Sequence, residues 1–197
     1  MKHAIPVRTF ADWDDAKPGF TEVDLVAHCG DTTRGEYLHS LNMVDVKTRW
    51  TEFVPLLNKS QATVTAGIDQ CRQRLPYALL GWDSDNGSEF INNDLKRSCE
   101  QRKITLTRCR PYKRNDQADV EQKNWTAIRQ TVGYERYEGQ APCDRLMALL
   151  STTAAVYQLL PARQGARQQR AQRCPSQAQI RSGPNTLPAH PGGSRSG

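Results

Sequence analysis

At 197 residues the chain has room for one well-cored domain and a tail, not for two ordinary domains. Its net charge of +6 suggests a nucleic-acid partner, but residues 161–197 contain six Arg, no Lys and no acidic residue, which leaves 21 basic and 21 acidic residues in positions 1–160. DNA binding by the folded part must therefore rest on local clusters. No stretch approaches the roughly 18 apolar residues of a membrane span, and the N-terminus is polar where a signal peptide is apolar, so a cytoplasmic protein with no membrane partner is expected.

Residues 1–18 mix prolines and charges without a period and read as an arm. "GFTEVDLVAHCG" (19–30) has the short apolar run of a strand buried on both faces. "GEYLHSLNMVDV" (35–46) and "RWTEFVPLL" (49–57) follow at hairpin spacing, predicting three antiparallel strands. Ser60 is placed to cap a helix over 61–75, with Val64, Ile68, Cys71 and Leu75 on one face and Pro76 ending it. "ALLGWDS" (78–84) predicts a strand, Ser88 a cap for a helix over 89–102 with Phe90, Leu95 and Cys99 inward, and "ITLTRCR" (104–110) another strand. Helices are expected over 118–137, with Val120, Trp125, Ile128 and Val132 at helical spacing, and over 143–160. Three strands followed by alternating helix and strand imply an α/β domain with a mixed sheet.

From residue 161 the composition breaks. Five Pro, five Gly, six Gln and six Arg, with Ile180 and Leu187 the large aliphatic residues, cannot bury enough surface to offset ordering entropy, so disorder is expected. The six cysteines show no C-x-x-C spacing and no paired histidines, which predicts free thiols.

Three carboxylates stand out. Asp24 lies inside Val23-Asp24-Leu25-Val26-Ala27, where an ionised group costs several kcal/mol unless an ion pair or a metal compensates it. Asp85 stands where a strand gives way to a helix, the place where sites gather in open α/β sheets; an Asp-Asn-Gly turn is the plainer reading. Asp83, two residues earlier, shares its side of the strand and is a rival. Glu121, one turn into its helix, reads either as solvated surface or as part of a site, since Asn124 and Trp125 share its face and a Trp there should point away from bulk water.

The stretches "VDLVAHCGD", "DSDNGSEFIN" and "RPYKRNDQADVEQKNW" resemble the integrase catalytic cores of DDE transposases and retroviral-type integrases. The likeness spans about residues 8–137, and its most specific feature is the 35 residues between Asp85 and Glu121, the D-D-35-E spacing of that family. The wording, including "RTFADWDDAKPGF", is most similar to insertion-sequence transposases of the ISNCY type.

The resemblance implies a ribonuclease H-like fold: a five-stranded mixed sheet between helices, forming a core over 19–160. It implies Asp24, Asp85 and Glu121 as catalytic residues and as ligands of Mg²⁺ or Mn²⁺, two ions about 3.5 to 4 Å apart. The implied reaction is DNA strand cleavage and strand transfer, with the element ends and a target DNA as partners and a homo-oligomer or an intact transposase as protein partner. "TRCRPYKRND" supplies the expected DNA contacts, Arg108, Arg110, Tyr112, Lys113 and Arg114, with Lys123 and Asn124 beside Glu121. Asp45 matches an acidic position of such cores and is expected to be structural.

Neither a helix-turn-helix region before the core nor an assembly region after it fits the chain, so a fragment is expected. A change of reading frame between about residues 138 and 157 would explain the tail. A non-catalytic remnant that binds DNA or an intact transposase, and a free-standing nuclease, are the competing readings.

Overall fold

The computed structural model describes residues 5–8, 17–110 and 114–159. Apolar and β-branched residues build strands β1 (Val7–Arg8), β2 (Phe20–Ala27), β3 (His39–Asp45), β4 (Thr51–Leu56), β5 (Gly81–Ser84) and β6 (Thr105–Cys109). They form one mixed sheet in the order β1-β6-β5-β2-β3-β4. β2, β3 and β4 pair antiparallel, whereas β5, β6 and β1 extend the sheet in parallel from β2. Parallel neighbours need crossovers, and helices α1 (Gln61–Arg74) and α2 (Asn93–Gln101) supply them. Helix α3 (Ala118–Lys123) continues through a π-helical stretch, Asn124–Arg129, into the short α4 (Gln130–Val132), and α5 (Gln140–Leu159) closes the core. This is the ribonuclease H-like arrangement, with β2 in the middle.

Side-chain alternation along the strands divides the core in two. Val23, Leu41, Met43 and Val54 pack with Val64, Ile68 and Cys71 of α1 and with Trp82, Phe90, Leu95 and Cys99. On the opposite face Val26 and Phe53 pack with Ala127, Ile128, Val132, Leu146 and Leu150. Glu22, Asp24 and Val26 share one side of β2, so the carboxylates face α3 and its π-helical extension.

Ser60 caps α1 as expected, its Oγ accepting from the Thr63 N–H at 3.3 Å. Phe90, Leu95 and Cys99 are buried as the pattern required. Several boundaries differ. The sheet has six strands, because Val7–Arg8 of the expected arm pairs with β6; two residues are too few to show a period. The strand expected from residue 78 begins at Gly81, since the Leu80 and Gly81 N–H groups both donate to the Gly19 carbonyl. Helix α2 starts at Asn93, capped by Asn92, whose side chain accepts from the Leu95 N–H at 2.8 Å; Ser88 does not cap it. The helix expected to reach residue 137 ends at Val132, where Gly133 takes φ +82°, a left-handed conformation that suits glycine.

Trp125 is 53% exposed, against the expectation that it faces away from water. It lies five residues after Val120, about 140° round the helix at 100° per residue. The last helix begins at Gln140, three residues earlier than expected. Five cysteines are free thiols; Cys174 and the tail expected to be disordered lie outside the described residues. Among the described residues no helix is long and apolar enough to cross a membrane.

Candidate active site

Asp24 sits in the middle of the central strand, opposite Asn42 of β3. Its Oδ1 accepts from the Leu25 N–H at 2.8 Å and its Oδ2 from Asn124 Nδ2 at 2.7 Å. Burial pushes its carboxyl up to about 6; Asp85 and Glu121 push the same way, against the hydrogen bonds from Leu25 and Asn124. Among the described residues no Lys or Arg pairs with it, so the ion-pair reading of Asp24 is not realised there. Asp85, one residue beyond β5, accepts from the Gly87 N–H through Oδ1 at 2.8 Å. The turn and the approach to Asp24 therefore coexist. Asn86 fastens this turn to β6, donating to the Cys109 carbonyl at 3.0 Å and accepting from Arg108 at 2.9 Å.

Asp83 belongs to a separate group. It lies within β5 between Glu22 and Thr107, is 1% exposed, and accepts from Thr107 Oγ1 at 2.6 Å. Burial pushes it up to about 6, and the charges it meets are Arg8 and Asp116. Glu22, two residues before Asp24, escaped the sequence reading. Burial pushes it up to about 7, and Asp83 adds to the effect. The one signal was its phase: Glu22 and Asp24 alternate with Val23 inside an apolar run and so share a face.

Glu121 lies on the exposed side of α3. Asp24 feels the charges of Asp85 and Glu121, yet among the described residues no three His, Cys, Asp or Glu side chains converge closely enough to hold a metal ion. By chemistry the trio suits a divalent cation: three hard oxygen donors whose mutual repulsion raises Asp24.

The expected DNA contacts have varied fates. Arg108 is half-buried, its guanidinium donating to the Ile5 carbonyl and to Asn86. Arg110 makes a two-pronged pair with buried Asp116, both contacts at 2.8 Å, while its side chain stays 44% exposed. Tyr112 and Lys113 lie outside the described residues, as does the side chain of Arg114. Lys123 is buried, three residues after Val120 and four before Ala127 on the inner face, with Nζ 3.8 Å from the Tyr157 ring centre. Asn124 is spent on Asp24 and Asn42. Asp45 is structural as expected, accepting from the N–H groups of Gly19 and Thr48, each at 2.7 Å.

The integrase core domain pattern matches residues 14–114, just over half of the chain. The chain belongs to the integrase core domain family. The matched stretch contains Asp24 and Asp85 and stops short of Glu121. Uncharacterized protein y4rM of Sinorhizobium fredii (strain NBRC 101917 / NGR234) is 42% identical over 139 residues, which are 71% of this chain and 40% of that protein. The chain thus spans well under half the length of that relative.

Among solved structures, the catalytic core domain of BIV integrase superposes with a TM-score of 0.52 at 22% identity, covering 69% of this chain and 80% of that one. The simian T-cell lymphotropic virus intasome, solved with the PP2A regulatory subunit B56 gamma, gives 0.57 at 14% identity, covering 75% and 49%. Both likenesses concern the fold.

Proposed function

We propose that this integrase core is the catalytic core of a DDE transposase or integrase, which cuts and joins DNA strands using Asp24, Asp85 and Glu121. The observation that carries the reading is the setting of Asp24: a half-buried carboxyl on the central strand, held by the Leu25 N–H and Asn124 and repelled by two others that reach it from a different strand end and a helix. No ion-pair partner relieves it among the described residues. Asp24, Asp85 and Glu121 would hold Mg²⁺ or Mn²⁺, two ions in the full site, and Glu121 would turn its side chain inward to complete the set. Such an ion, when bound, supplies Lewis acidity at a phosphate and lowers the pKa of the attacking water or DNA 3′-hydroxyl.

The protein's own residues supply order. The Leu25 N–H and Asn124 hold both oxygens of Asp24, and the Gly87 N–H fixes Asp85, so two of the three carboxylates are oriented in advance. Arg110, with Lys113 and Arg114 from the same loop, would neutralise the DNA backbone without reading sequence. The DNA of the element ends and of the target would be the substrates, and a second copy or an intact transposase the protein partner.

The test is cleavage and joining of nicked and hairpin DNA with Mg²⁺ or Mn²⁺. Products joined to a target support a transferase, cut products alone a nuclease. DNA retention without either product would leave a binding protein.

A further inference from the structure

The helix that carries Glu121 is held at one residue, Val120, from two sides. Glu22 of β2 accepts through Oε2 from the backbone N–H groups of Asp119 at 3.0 Å and Val120 at 2.9 Å. Asn42 of β3 donates through Nδ2 to the Val120 carbonyl at 3.3 Å and to Asn124 Oδ1 at 2.9 Å. Arg49 pairs with the Asp119 side chain as well. The N–H groups in the first turn of a helix lack intrahelical acceptors, and Glu22 satisfies two of them.

Both side chains are poor choices for packing alone. Glu22 is 4% exposed and Asn42 is fully buried, and Asn42 Oδ1 has no hydrogen-bond partner. A buried carboxylate costs several kcal/mol, and an unsatisfied buried acceptor about 1–3 kcal/mol. Well-packed leucines would avoid both costs. The helix itself explains the need for outside fixation. Immediately after α3 the hydrogen bonding turns π-helical over Asn124–Arg129, so the regular ladder that would lock its register is interrupted. A slip of one residue turns a helix by about 100° and moves it about 1.5 Å, enough to take Glu121 off the Asp24 side.

We propose that Glu22 and Asn42 are positioning residues that clamp the backbone of Val120, its N–H from β2 and its carbonyl from β3, and thereby set the height and rotation at which Glu121 and Asn124 meet Asp24. The clamp deepens the strand-transfer reading and rests on it for its functional meaning, whereas its structural effect is measured separately.

Amide hydrogen exchange followed by NMR on the full chain, without DNA or metal, tests the clamp directly. In the wild type the Asp119 and Val120 amides exchange far more slowly than free peptide. Glu22→Leu loses at least about tenfold of that protection at these two amides, the worth of one hydrogen bond, while the amides of β3 and β4 keep theirs. Glu22→Gln keeps an acceptor oxygen and retains most of the protection. On nicked DNA, Glu22→Leu and Asn42→Leu each lower kcat by at least about tenfold, as loss of a ligand-orienting partner does, with KM little changed; Glu22→Gln recovers most of the rate.

Free-peptide exchange at Asp119 and Val120 in the wild type overturns the proposal, even if the leucine variants fail to fold. So does an equal loss of protection throughout the sheet in Glu22→Leu, which would make Glu22 a general stabiliser. A wild type that cuts no DNA refutes the strand-transfer reading instead, and the exchange result still decides the clamp.

Discussion

Replacing Asp83 with Asn separates the two aspartates that lie two residues apart and has a calculable effect on stability. Asp83 is pushed up to about 6 chiefly by burial, from an ordinary value of about 3.9. Its folded-state pKa is raised, so the stabilisation is fully present below about pH 4 and is lost as pH rises through about 6. The full difference is about 3 kcal/mol, of which about 1.4 kcal/mol falls between pH 8 and pH 5. Asn keeps the oxygen that accepts from Thr107 and cannot ionise beside Glu22. The variant should therefore gain about 1–3 kcal/mol at pH 8 and show a shallower fall in stability from pH 5 to pH 8.

Glu22 and Asp24 act with the same sign as Asp83. Burial holds His28 down at about 4, and its contribution is lost as pH falls below about 6.5, the opposite sense. The decisive quantity is thus the difference between variant and wild type in urea-unfolding free energy at each pH. A variant less stable than wild type at pH 8, or a difference that does not change with pH, would refute the electrostatic reasoning.

Replacing Arg110, Lys113 and Arg114 with Gln should weaken DNA binding and flatten its salt dependence, by roughly one log–log unit for each phosphate that is no longer neutralised; an unchanged slope in fluorescence anisotropy would return the loop to solvent. Lys123→Met, made inside the core over Tyr157, should leave that slope as it is, and a flatter slope would restore Lys123 as a DNA contact. Gly67→Ala should cost about 1–3 kcal/mol by overpacking, because its Cβ would lie 2.9 Å from Leu56 and 3.2 Å from Leu41; chemical denaturation showing no loss would mean that these leucines move freely.

The order of strands and helices was legible because each long element has its own hydrophobic period. Val64, Ile68 and Cys71 announced α1, and the stretches 35–46 and 49–57 at hairpin spacing announced the antiparallel strands. What failed to show was set by contacts distant in sequence. β1 exists because two residues find the edge of β6, and the start of β5 is fixed by the Gly19 carbonyl. Asp24 and Asp85 could be singled out because carboxylates in or after apolar runs demand compensation. Glu22 could not be weighed, since its reason for being acidic lies 98 residues away at the Val120 N–H. Lys123 stands out in the sequence only as a positive charge beside Glu121, while the helix phase set by Val120 and Ala127 turns it inward.

Asp24, Asp85 and Glu121 should bind a divalent cation together. Isothermal titration of Mn²⁺ into the wild type and into Asp24→Asn, Asp85→Asn, Glu121→Gln and Asp83→Asn at pH 8 tests it most directly. The first three substitutions should each weaken binding by more than about a hundredfold, beyond the cost of losing a residue that only orients a ligand, and Asp83→Asn should bind as the wild type does. Undiminished binding in Asp85→Asn together with its loss in Asp83→Asn would contradict it.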